Sequence, residues 1–179
     1  MPQTIVNFDA FKFDKYSWYG RHDVPWLAKR VGFIIEGKSD RIPENQRNIV
    51  GFVCNLPLET RNKLEEFLFK KYQAEIYGTI ETDGLPAASS PPTLNPVVIM
   101  QSLLQRYRRN QVTPRLKKPV DIWRVISKPG IHTPPDHRIK SGCYFQVTFE
   151  CVWDSEHGIA VLFNDRGEPI ALGGQGDHF

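Results

Sequence analysis

The chain is 179 residues long, 40% apolar and 24% charged, with a formal net charge of +3. That length suits a single domain over residues 1–179, and an ordinary globular composition can bury a core without disulfide or metal staples. So weak a net charge argues against a nucleic-acid partner.

The first elements read as strands. Phe11 and Phe13 alternate with Lys12 and Asp14, a period of two, within a stretch from Ile5 that Tyr19-Gly20 ends. Val31-Gly32-Phe33-Ile34-Ile35, inside Trp26–Glu36, is rich in β-formers and reads as a second strand closed by Gly37. The period then changes. Pro43 suits the first turn of a helix capped by Ser39 or Asp40, with Ile49, Phe52 and Val53 on its apolar face. A second helix starts near Asn55 or Thr60. Leu64, Phe67, Leu68, Tyr72 and Ile76 form its apolar stripe, Lys63, Glu65, Glu66, Lys70 and Lys71 fall largely opposite, and Gly78 stops it.

Residues 81–96 form a proline- and serine-rich loop, followed by a helix over 96–109. Pro119–Ile126 reads as one short helix, with Ile122, Val125 and Ile126 inward. Gly130-Ile131-His132 reads as a short edge strand before the Pro134-Pro135 loop. In the last third, Phe145, Val147, Phe149, Cys151 and Trp153 share one side of a strand, with Gln146, Thr148 and Glu150 on the other. A turn at Asp154–Gly158 leads to the apolar strand Ile159–Phe163. A hairpin loop, Asn164-Asp165-Arg166-Gly167, then leads to a return strand that Gly173-Gly174 ends. The expected fold is α+β: an antiparallel sheet, made of N-terminal strands and a C-terminal β-meander, packed against two to four helices.

The run Phe149-Glu150-Cys151-Val152-Trp153-Asp154-Ser155-Glu156-His157-Gly158-Ile159-Ala160-Val161 resembles the signature F-x-C-x-W-D-x-E-H-G-x-G-V of an uncharacterised bacterial domain family. Ala160 stands where that signature has glycine. Gln46, Trp18-Tyr19-Gly20 and the glycine-rich end Ala171-Leu172-Gly173-Gly174 extend the likeness loosely along the chain. The resemblance implies a fold and a bacterial origin, and carries over no catalytic residue.

Cys54, Cys143 and Cys151 are odd in number, widely spaced and without a CxxC pair, which points to reduced core thiols. No cationic leader precedes an apolar run, and the longest apolar runs, such as Ile159–Phe163, are five residues. A cytoplasmic protein with no membrane partner is expected.

Two segments carry candidate chemistry. Trp153, Asp154, Glu156, His157 and Gly158 bring carboxylates beside an imidazole, a set able to hold a divalent metal or move protons, although a turn uses the same residue types. His132, Asp136, His137, Asp177 and His178 could complete a metal site, but read better as a solvated loop and a frayed tail. Residues 106–118 hold six bases, Arg106, Arg108, Arg109, Arg115, Lys117 and Lys118, and no acid. They form a weak nucleic-acid site that a solvated helix end explains as well. No nucleotide-binding loop or nucleophile elbow is present, and Cys151 falls on an apolar face.

The favoured function is therefore non-enzymatic protein interaction, immunity-like or regulatory, without cofactor or metal. The alternatives are a metal-dependent hydrolase and a nucleic-acid accessory protein. An exposed sheet edge would also permit a homodimer.

Overall fold

The computed structural model describes residues 4–77, 114–135 and 144–174, with the side chains of 75–77, 154 and 155 outside the description. The loop assigned to residues 81–96, the helix assigned to 96–109, the helix stop at Gly78, and Arg106, Arg108, Arg109, Asp136, His137, Cys143, Asp177 and His178 all lie outside these residues.

Seven strands form one sheet in chain order: β1 (Lys12–Asp14), β2 (Ser17–Val24), β3 (Lys29–Glu36), β4 (Ile126–Thr133), β5 (Phe145–Cys151), β6 (Asp154–Phe163) and β7 (Pro169–Gly174). Neighbours are antiparallel except β3 and β4, which run parallel. Parallel neighbours require a crossover. The chain between Glu36 and Ile126 supplies it and contains helices α1 (Glu44–Cys54) and α2 (Glu59–Lys71). The architecture is α+β, with a mostly antiparallel sheet packed against helices. None of the described helices is long and apolar enough to cross a membrane.

The first strand ends earlier than its periodicity suggests. The chain reverses at Lys15-Tyr16, with Lys15 at φ 46°, and β2 then runs straight through Gly20. Gly20 is no turn residue. A Cβ there would stand 2.5 Å from the ring of Phe11, which lies across the strand. Trp26 likewise precedes β3: Pro25–Leu27 form one 3-10 turn, and Ala28 is left-handed at φ 52°. Trp26 is fully buried, and its Nε1 donates to the Val53 carbonyl at 2.9 Å, tying this corner to α1.

Neither Ser39 nor Asp40 caps α1. Pro43 is the residue before it and makes no side-chain cap, while Ser39 Oγ accepts from the Arg41 backbone N–H instead. Ile49, Val50, Val53 and Cys54 bury one face of α1, and Leu64 and Leu68 bury one face of α2. The chain continues from α2 through a π-helical turn at Tyr72–Tyr77. Glu65 departs from the expected solvated face. It is buried because its Oε1 accepts from Arg61 Nε at 2.8 Å and from Trp123 Nε1 at 2.5 Å. Pro119–Arg124 is a 3-10 turn with Ile122 buried.

β4 is central, not an edge strand, and runs eight residues. Pro129 is tolerated because the ladder with β5 shifts register between Ser127 and Gly130, and Lys128 takes φ 46° in that bulge. Buried Phe145, Val147, Phe149, Ile159, Val161 and Phe163 build the meander's half of the core, and the register partners Phe145 and Phe163 stack at 4.6 Å. The last hairpin follows its sequence: Gly167 has φ 72°, and Asn164 Oδ1 accepts the backbone N–H groups of Arg166 and Glu168.

Candidate functional site

The segment Trp153–Gly158 is not the turn its composition suggests. The reversal is made by Val152-Trp153, and Asp154 already pairs with Cys151 as the start of β6. Regular pairing resumes at Phe149 and Ile159, so the surplus residues of β6 bulge, with buried Gly158 at φ 62°. Trp153 packs edge-on against Tyr72, ring centroids 5.3 Å apart, while Glu156 and His157 are exposed. Among the described residues no three His, Cys, Asp or Glu side chains gather to hold a metal. In the described end of the basic run, Lys117 and Lys118 have exposed side chains, and their backbone N–H groups donate to Asp121 Oδ2 at 3.2 Å.

Neither described thiol is poised as a nucleophile. Cys151 is buried. Cys54 faces His22 Nδ1 at 3.9 Å, but burial pushes its thiol up to about 12.

The concave feature lies on the sheet face opposite the helices, and its origin is a row of small residues. Residues paired across strands share a face. Arg21 pairs with Gly32, Gly32 with Gly130, Gly130 with Thr148, Thr148 with Ala160, and Ala160 with Gly173. Beyond Arg21, this row perpendicular to the strands therefore carries little side-chain bulk, only glycines, Ala160 and Thr148. The next row holds Lys12, Tyr19, Ile34 and His132, and on the other side Arg30 pairs with Asp23. A low row between taller ones is a trough. It encloses about 790 Å³, from Lys12 and Arg21 to Thr148.

The walls are unusual for a sheet surface. Tyr19 and Ile34 are register partners exposed by 47% and 41%. Adjacent large apolar groups left in water mark contact surfaces. Lys12, Arg21 and Arg30 are exposed and form no ion pair among the described residues. By register they run diagonally across β1, β2 and β3. The described lining contains no carboxylate. Asp14 and Asp23 stand on the same face beyond it.

His132 was expected in a solvated loop but forms part of the wall. Its Nε2 donates to Glu36 Oε1 at 2.8 Å, and its Nδ1 lies 3.4 Å from the Gln146 amide. Glu36 is held in turn, because its carbonyl and that of Pro134 both accept from Gln46 Nε2, at 2.6 and 3.2 Å. Gln46 thereby fastens α1 to the ends of both parallel strands. The trough was not anticipated from the sequence. Its one local signal was a glycine inside each of two strand patterns, which marks close backbone approach.

A family model described as a domain of unknown function, DUF6985, matches residues 7–179. The chain belongs to this family. No curated protein and no solved structure matches it. The DUF6985 match covers every residue of the trough and both segments singled out by composition.

Proposed function

We propose that this DUF6985 domain is a non-enzymatic protein-interaction module of the bacterial cytoplasm, immunity-like or regulatory, and that it docks its partner on the outer sheet face. The observation that carries this reading is the exposed Tyr19–Ile34 pair beside a trough rimmed by cations that form no ion pair among the described residues. Interfaces combine exposed aromatic and aliphatic anchors with arginine in this way. The buried thiols favour a reducing compartment and binding over nucleophilic chemistry.

Site-specific photocrosslinking in cells tests this. A benzoylphenylalanine at Ile34 is expected to capture one defined protein, which the same probe at exposed Val152, far along the sheet, does not. Capture of nothing, or of the same set from both positions, would overturn the proposal.

A further inference from the structure

We infer that the occupant of the trough is an extended, acidic segment of the partner, with carboxylates seated on Arg21 and Arg30 and an apolar side chain against Tyr19 and Ile34. The inference rests on the docking surface proposed above and gives it a ligand chemistry.

Three features lead there. The first is charge. Lys12, Arg21 and Arg30 are the charged residues of the described lining, and none has an ion-pair partner among the described residues. Guanidinium groups bind carboxylates bidentately, and two of the three cations are arginines.

The second is shape. The floor crosses the strands through Gly32 and Gly130, and nothing lies within 4 Å of a Cβ placed on Gly32. A backbone can therefore approach the sheet closely at Gly32, and an extended chain brings its backbone to such a floor more readily than a helix does. Floor row and apolar wall run side by side, so such a segment meets both Arg21 and Tyr19–Ile34.

The third feature separates a peptide from a nucleic-acid strand. A phosphate backbone carries charge continuously and cannot space it to match three discrete cations. Single-stranded nucleic acids also use successive stacking rings, and Tyr19 is the one aromatic ring standing on this face within the described lining. A peptide places its carboxylates discretely.

The test is selection from a displayed library of random dodecapeptides on the full chain, with fluorescence binding of the enriched peptides. The enriched pool is expected to be acidic with interspersed apolar residues, and its binding to weaken as salt rises. Gly32→Val raises the floor at a position where an added Cβ meets nothing within 4 Å, and it and Arg21→Glu/Arg30→Glu are each expected to weaken binding about tenfold or more. Lys63→Glu, on α2, is expected to leave it unchanged. A neutral or basic pool, no enrichment, binding untouched by Gly32→Val, or a homopolymeric oligonucleotide that binds this trough more tightly than the peptides would each overturn the acidic occupant. If the Ile34 crosslink still yields its single protein, the docking surface stands and only the ligand assignment falls.

Discussion

Trp123 donates its indole N–H to Glu65 Oε1 at 2.5 Å, so a carboxylate from α2 and a ring from the turn before β4 share one half-buried contact. Arg61 lies 5.0 Å over the same ring and also donates to Glu65, and Lys29 stands 5.6 Å from it. Removing the acceptor strands two donors. Glu65→Ala is expected to destabilise the fold by about 1–3 kcal/mol, with Glu65→Gln costing less because its amide oxygen still accepts. Urea unfolding followed by tryptophan fluorescence measures both, and equal costs for the two variants would refute the shared-acceptor account.

Gly20 and Gly32 occupy opposite faces of neighbouring strands and should respond oppositely to a side chain. At Gly20 the added carbon meets the Phe11 ring, so Gly20→Ala is expected to cost about 1–3 kcal/mol by overpacking. At Gly32 it meets nothing, so Gly32→Val is expected to be neutral or to gain about 0.5–1 kcal/mol in a strand. Denaturation midpoints of the two variants check the contrast.

The Cys54 thiol, pushed up to about 12 by burial, should be silent in the native state. Iodoacetamide at pH 8 is expected to modify it only as fast as the protein opens, with denaturant accelerating the reaction, as read by mass spectrometry. The linkage has a definite sign. The folded state keeps this proton while the unfolded thiol gives it up, so its contribution is intact below the unfolded value of 9.0 and is lost as pH rises from there toward 12. Cys54→Ala should flatten that alkaline loss.

Glu168 titrates in the other direction. Hydrogen bonds from Asn164 and then Lys63 hold its exposed carboxyl below the ordinary value. Its stabilising contribution is present above the unfolded value and fades as pH falls through the folded one. An NMR titration is expected to show that Asn164→Ala and Lys63→Ala each raise the Glu168 midpoint. Only the lysine's share should shrink in high salt.

Helix α2 and the meander were legible because their signals are local: Leu64 and Leu68 recur at helical spacing, and Phe145, Val147 and Phe149 alternate. Misreadings arose where a residue serves a distant neighbour. Gly20 looks like a stop but makes room for Phe11, Glu65 looks solvated but bonds Trp123, and Gly158 looks like a turn but sits in a bulge. β4 reads as a short edge strand, yet it is central and contains Pro129, whose cost a bulge removes. The trough was least legible of all, because its floor exists only in the register of β3 against β4, and no local pattern encodes a pairing between residues so far apart in the chain.

That pairing has a consequence for biogenesis. Within 12–36 and within 126–174 consecutive strands pair antiparallel, and among the described residues the two stretches meet in the sheet at Gly32–Ile35 against Gly130–Thr133. Joining such remote segments is the slow part of assembling a sheet. Since Gly32 belongs to one half and Gly130 to the other, a half-assembled chain lacks the continuous floor of the trough, although Tyr19, Arg21, Arg30 and Ile34 all lie in the first half. The docking proposed above, which uses that floor, would follow closure of the seam.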